Sequence, residues 1–220
     1  MFLNLVKGDL KLDQPTSISF CSYDVYDLTK ADEGLNTKQL VRLFELLNYA
    51  QLTMQSPTMA HIKIEQPTKR MTEIGKILTN YADKYRLGKP DSRPLYALKY
   101  EEGSITKREH CHLYIIVDDW VRDDLIGLAK ELERTGVSGA IRSKNCKPVA
   151  LMNRSREFVP IRGSTAYHRL NEEAEDAFKR ISYIAKIKTT SKLRRKSFSA
   201  SALPKDCSVL ADIKQLGLAA

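Results

Sequence analysis

Long apolar runs are missing from this chain of 220 residues. The longest, such as "LYIIV" at 113–117, fall far short of the roughly 18 residues a membrane-spanning helix needs, so no bilayer span is expected. Charges at Lys7, Asp9 and Lys11 interrupt the N-terminal "MFLNLVKGDLKLD" before a signal-like apolar core can form. Cysteine is sparse and scattered. Cys21, Cys111, Cys146 and Cys207 make no CxxC pair, which argues against a thiolate zinc site and a disulfide framework and points to a reducing, cytoplasmic setting. Neither a GxxxxGK-Ser/Thr nor a GxGxxG pattern occurs, so chemistry driven by nucleotide hydrolysis is not expected. Acid is scarce where base is concentrated. Residues 1–60 hold five Lys/Arg against seven Asp/Glu, a balance of −2, so with a net charge of +9 the other 160 residues carry +11. A field of that sign favours nucleic acid or an anionic membrane surface.

What remains is a regular alternation of elements. "SISFCSYDVYDL" alternates like a strand, and a helix is expected from about Asn36, with Gln39 three residues on and Leu40, Leu43, Phe44 and Leu47 on one face. "TMQSPT" reads as a linker. "MAHIKIEQ" reads as a short strand broken at Pro67, followed from about Thr68 by a helix carrying Met71, Ile74, Ile77, Leu78, Tyr81 and Tyr85 at helical spacing. "PLYALKYEE" and "EHCHLYIIV" are two strands joined by the turn "GSITKR", hence a hairpin. Asp118 or Asp119 is the expected cap of the next helix, which ends at Gly136. After a basic strand-and-loop region, a last helix is expected from near Thr165 to about Thr189, with Leu170, Ala174, Ala177, Phe178, Ile181 and Ile184 facing the core. "SFSASALPKD" resembles a linker or tail. The pattern is α+β: an antiparallel sheet with helices gathered on one side.

Two of the four histidines fall in "REHCHLYIIVDDW", residues 108–120. On a strand, His110 and His112 share a side about 7 Å apart, while Cys111, Leu113, Ile115 and Val117 face the other way as an apolar surface. Such a pair can be two ordinary histidines at the margin of a core. It can also ligate one ion if the hairpin partner supplies a carboxylate, and that partner ends in Glu101 and Glu102. Glu101 shares the polar side of its strand with Lys99 and is the preferred third ligand, with Glu102 the alternate. Two imidazoles and a carboxylate leave coordination positions open, and the mixed N/O set suits Mn²⁺ or Mg²⁺ acting on a phosphate.

A second constellation lies in "RISYIAKIKTT". If the last helix continues through it, Tyr183 stands off the core stripe on a face shared with Asp176, Lys179, Arg180 and Lys186. A phenol of pKa about 10 needs help to act as a nucleophile, and Lys186 is placed to orient a phosphate. A tyrosine packing its ring at a boundary gives the same pattern. Residues 179–196 carry eight Lys/Arg and no acid, and residues 142–162 carry six against Glu157 alone. Lys179, Arg180, Lys188, Lys192, Arg194 and Arg195, with Arg142 and Lys144, are therefore expected to bind a phosphate backbone with steep salt dependence.

"HCHLYI", followed about 70 residues later by "YIAK", resembles the HUH endonucleases, in particular their single-tyrosine rolling-circle replication initiators of inovirus-like filamentous phages. The resemblance covers about residues 93–190 and extends loosely to 58. Cys111 stands where the family more often has a larger apolar or aromatic residue, and "AHIKIE" is a candidate for the family's first motif. The resemblance implies a Rep/relaxase-like fold: a central antiparallel sheet with the HUH hairpin strand in the middle and helices packed on it, as in a ferredoxin-like palm. It implies residues 58–196 as the endonuclease domain, 1–57 as an N-terminal extension or small accessory segment, and 197–220 as a C-terminal tail. By position it makes His110, His112 and Glu101 or Glu102 the metal ligands, Tyr183 the nucleophile and Lys186 its partner. The implied activity is metal-dependent nicking and rejoining of single-stranded DNA at an origin hairpin through a 5′-phosphotyrosine. A host helicase and polymerase would be partners in a bacterial cytoplasm, for a phage- or mobile-element-encoded protein. A relaxase or transposase with the same chemistry is the neighbouring alternative. A DNA-binding regulator without catalysis is the alternative from another class, and a membrane-surface role is disfavoured because the basic segment has no matching exposed apolar face.

Overall fold

A computed structural model of the chain describes residues 19–20, 23–24, 35–85, 87, 93–103, 108–140, 148–152, 167–187 and 197–204. Two two-residue strands, β1 (Ser19–Phe20) and β2 (Tyr23–Asp24), pair with each other. Helix α1 (Thr37–Thr53) follows, then β3 (Pro57–Glu65), α2 (Met71–Tyr85), β4 (Leu95–Glu102), β5 (Glu109–Asp118) and α3 (Arg122–Arg134). Next come β6 (Val149–Leu151), β7 (Tyr167–Arg169), α4 (Leu170–Ile181), a 3-10 turn (Ser182–Ala185) and β8 (Phe198–Ala200). No helix among the described residues is long and apolar enough to cross a membrane.

The main sheet is antiparallel in the order β6-β3-β5-β4-β8, with β7 pairing the other half of the outer edge of β3. The fold is α+β, and β5 is the central strand. The hairpin expected of β4 and β5 pairs Glu101 with His110 and Lys99 with His112; its tip, residues 104–107, lies outside the described residues. On the other flank β3 pairs Glu65 with His110, Lys63 with His112 and His61 with Tyr114. Paired residues share a face, so these registers set side-by-side rows across the middle of the sheet.

Helices cover both faces, not one. Cys111, Leu113, Ile115 and Val117 pack with α2 and α3, alongside Ile62, Ile64, Leu98 and Tyr100. Tyr114 and Ile116, of opposite parity, pack with α1 and α4 through Leu43, Phe44, Leu47, Phe178 and Ile181. The reason is visible in "LYIIV": a strand apolar at consecutive positions must be buried on both sides. The α1/α4 layer covers only the Ile116 and Leu95 end of its face. Toward the start of β5 the same face turns polar, with Lys99, Glu101, His110 and His112, and there the site lies.

Other boundaries moved for local reasons. Asn36 does cap α1, its side chain accepting from Gln39 N–H at 3.1 Å. Met54 and Thr58, in the expected linker, are a buried helix cap and a strand residue. Helix α3 is capped at Val121, not by Asp118 or Asp119. The Val121 N–H donates to the Asp124 carboxylate at 2.9 Å, Asp118 instead accepts from Ser56 N–H at 2.7 Å, and Asp119 sits at φ 59°. Gly136, at φ 69°, ends that helix region as expected. Tyr85 is 51% exposed and stands outside the core. Residues 198–200, read as part of a tail, form an edge strand against Ala97, Leu98 and Lys99.

Candidate metal centre and its tyrosine

Strand pairing brings the first three residues together. Opposite His110 on β4, Glu101 places its Oε2 3.8 Å from His110 Nε2 and 3.6 Å from His112 Nε2. One ligand atom from each of the three lies within 4.8 Å of the others, so the group could hold a metal ion. Glu101 and His112 are buried and His110 is half-buried. Glu102, the alternate, pairs with Glu109 on the opposite parity and faces away.

The donors suit a cation. Burial, with Lys63 the next cause, pushes the His110 imidazole below its usual range. Burial, then the neighbouring His61 and His110 rings, holds His112 well below it. Neutral imidazole is the ligand form. His112 Nε2 is buried with no hydrogen-bond partner among the described residues, and such an atom calls for an explanation. An ion held jointly with Glu101 supplies one.

The same shifts fix an acid-stability prediction. Both histidines have folded pKa values below their unfolded value of about 6.5. Below that pH the unfolded chain takes up protons that the folded chain refuses. The stabilisation is present above about pH 6.5 and is lost as pH falls, at up to about 1.4 kcal/mol per pH unit for each ring. In EDTA, urea midpoints should fall from pH 7 to pH 5, and His110→Asn should flatten the slope. A midpoint unchanged over that range would show that neither ring is held neutral.

Tyr183 arrives from about 70 residues further along the chain. The expected helix from Thr165 to Thr189 is shorter: β7 occupies 167–169, α4 ends at Ile181, and Tyr183 sits on the 3-10 turn. The turn forms because Ser182 Oγ donates to the Lys179 carbonyl at 2.8 Å and Lys186 N–H donates to the Tyr183 carbonyl at 3.3 Å. Two further ties anchor it. Asn36 N–H donates to the Ala185 carbonyl at 2.8 Å, and the buried Lys99 ammonium donates to the Lys186 carbonyl. Burial lowers Lys99 to about 8, partly countered by Glu101. So held, the Tyr183 hydroxyl lies 3.4 Å from Glu101 Oε2, and its ring stands edge-on to His112 with centroids 5.0 Å apart. Lys186 Nζ lies 3.8 Å from the centre of the Tyr183 ring. The turn, not a continuous helix face, is what aims this tyrosine at the histidines.

A cavity of about 200 Å³ opens beside the cluster, lined in part by His61, Lys63, His110, His112, Arg180 and Tyr183. Arg180 thus joins the site, while Lys179 is exposed on α4. Arg142, Lys144, Lys188, Lys192, Arg194 and Arg195 lie outside the described residues.

No family model, curated protein or solved structure matches this chain.

The sequence does not single out His61 and Lys63 as site residues, and it marks Lys99 merely as a neighbour of Glu101 on the polar side of β4. His61 Nε2 lies 2.8 Å from His112 Nδ1, and Lys63 Nζ pairs with Glu65 Oε1 at 2.5 Å. The signal was the alternation His61, Lys63, Glu65 within "AHIKIE", three polar residues on one side of a strand whose other side is Ala60, Ile62 and Ile64. Lys99 alternates in the same way with Leu98 and Tyr100.

Proposed function

We propose that this protein is a metal-dependent HUH-type endonuclease and ligase for single-stranded DNA, which nicks and rejoins an origin through a 5′-phosphotyrosine to initiate rolling-circle replication. One observation carries the reading: the Tyr183 hydroxyl stands 3.4 Å from the carboxylate that also faces His110 and His112. A tyrosine that packs its ring also seeks a partner for its hydroxyl; what supports a catalytic role is that this partner is the carboxylate facing both histidines. The β3-α2-β4-β5-α3-β6 succession, with strand order β6-β3-β5-β4 and α2 and α3 on one face, supports the ferredoxin-like palm of Rep and relaxase domains.

His110, His112 and Glu101 would hold a divalent ion, Mn²⁺ or Mg²⁺, whose chemistry when bound is Lewis-acid polarisation of a phosphate oxygen. The Tyr183 oxygen attacks phosphorus. The bond from Tyr183 to phosphorus forms, the bond from phosphorus to the 3′-oxygen breaks, and the phenolic proton is balanced by the one gained by the leaving 3′-hydroxyl. Lys186, over the ring, favours the phenolate as it develops, and Arg180 and Lys63 offer positive charge to flanking phosphates in the cavity. The tyrosyl phosphodiester keeps the energy of the broken bond, so rejoining needs no nucleotide hydrolysis. Host helicase and polymerase would supply unwinding and extension in the cytoplasm of a bacterial host.

The test is a denaturing gel. A labelled single strand bearing the origin, incubated with protein and Mn²⁺, is expected to be nicked and to migrate with the protein, and EDTA should prevent both. Salt-sensitive binding with no adduct under any metal would favour a regulator instead.

A further inference from the structure

His61 is buried on β3, on the side of β5 away from Glu101. Its ring stacks on Tyr114, with centroids 4.2 Å apart and planes 8° apart, and its Nε2 lies 2.8 Å from His112 Nδ1. A neutral imidazole has one N–H donor and one acceptor nitrogen, so of these two facing nitrogens one carries the hydrogen. The choice fixes the other edge of His112. If His112 Nδ1–H donates to His61, His112 Nε2 is a bare lone pair directed at Glu101. If His61 Nε2–H donates, the hydrogen of His112 moves to Nε2 and the ring cannot ligate from there.

We propose that His61 is a positioning residue for the metal site: by accepting the Nδ1–H of His112 it sets His112 as an Nε2 ligand. This rests on the metal centre described above and deepens it. Metal-binding histidines are commonly fixed through their second nitrogen in this way. The Tyr114 stack holds the His61 ring in plane, and the Tyr114 hydroxyl is tied to the Arg180 carbonyl at 3.0 Å. An Arg180 nitrogen stands 3.5 Å from His61 Nδ1. A guanidinium only donates, so this contact favours the opposite hydrogen placement. With His61 accepting from His112, His61 Nδ1 would carry its own hydrogen and this 3.5 Å contact would be given up.

The experiment is a Mn²⁺ titration of the full chain followed by electron paramagnetic resonance, on the unaltered protein, His61→Phe, His61→Ala and His61→Gln. Phenylalanine keeps the stack on Tyr114 but offers no acceptor; glutamine restores one. Phe and Ala are expected to weaken Mn²⁺ by about 10- to 100-fold, and Gln by only a few fold. Unchanged affinity in Phe and Ala overturns the proposal, as does equal weakening in all three variants. Failure of the unaltered protein to bind Mn²⁺ would instead bring down the metal centre itself. Imidazole ¹⁵N spectra at saturating Mg²⁺ give a second readout: His112 is expected as the Nδ1–H tautomer, and an Nε2–H His112 overturns the role of His61.

Discussion

Tyr183→Phe is expected to abolish nicking and the covalent adduct while leaving the fold and the metal site intact. Phenylalanine keeps the ring beside His112 and beneath Lys186 and lacks the hydroxyl, whose contact with Glu101 is a long one at 3.4 Å. The melting temperature and Mn²⁺ affinity should therefore stay near those of the unaltered protein. Activity should fall by on the order of 10⁴-fold or more, the scale on which enzymes feel the loss of a nucleophile. The nearby Tyr114 cannot substitute: it is 1% exposed and its hydroxyl donates to the Arg180 carbonyl. The check is a single-turnover assay on a labelled single strand, resolved on a denaturing gel. Normal nicking by the variant would end the assignment of Tyr183.

Glu101→Gln carries the second large effect. The substitution keeps the shape of a buried side chain that faces both imidazoles and the Tyr183 hydroxyl, and removes the only negative charge of the triad. Hard divalent cations depend on carboxylate oxygen, so Mn²⁺ affinity is expected to drop at least about 100-fold, beyond the range of a residue that acts through another ligand. Nicking should fall with it. Glu102→Gln is the matched control, because that carboxylate pairs with Glu109 and faces the other side of the sheet. Titration of both variants with Mn²⁺, alongside circular dichroism, separates loss of the ion from loss of fold. Equal affinities for the two variants would remove Glu101 from the site.

Much of the candidate site was legible because strand geometry is local and strict. Period-two alternation put His110 and His112 on one side. The hairpin between "YALKYEE" and "EHCHLYIIV" carried Glu101 to the same side and Glu102 to the other. Helical spacing marked Leu40, Leu43 and Phe44 on α1 and Leu170, Ala177 and Phe178 on α4 as core. Less was legible where an element ends by competition. The apolar stripe of α4 continues through Ile184 with no break, yet the helix closes at Ile181 into a tighter turn, held by Asn36 from before α1 and by Lys99 from β4. No wheel drawn on residues 170–189 contains those partners. Likewise, the alternation of Cys111, Leu113, Ile115 and Val117 marks one apolar face of β5, although the other parity, Tyr114 and Ile116, is equally apolar and takes a helix layer of its own.

The sequence by itself determined the kinds of residue available and their local sidedness: two histidines, a carboxylate and a tyrosine in a fixed order, with base concentrated after residue 60. Such rules act over two to four residues, where sterics and hydrogen bonding decide. Only the tertiary structure decided that Tyr183 meets Glu101, that His61 backs His112, and that Lys99 from a neighbouring strand braces the tyrosine turn. Those contacts join segments tens of residues apart. They depend on which strands pair in which register and on the packing of two helix layers, whose free energy is summed over the whole core and so is written in no single stretch of the chain.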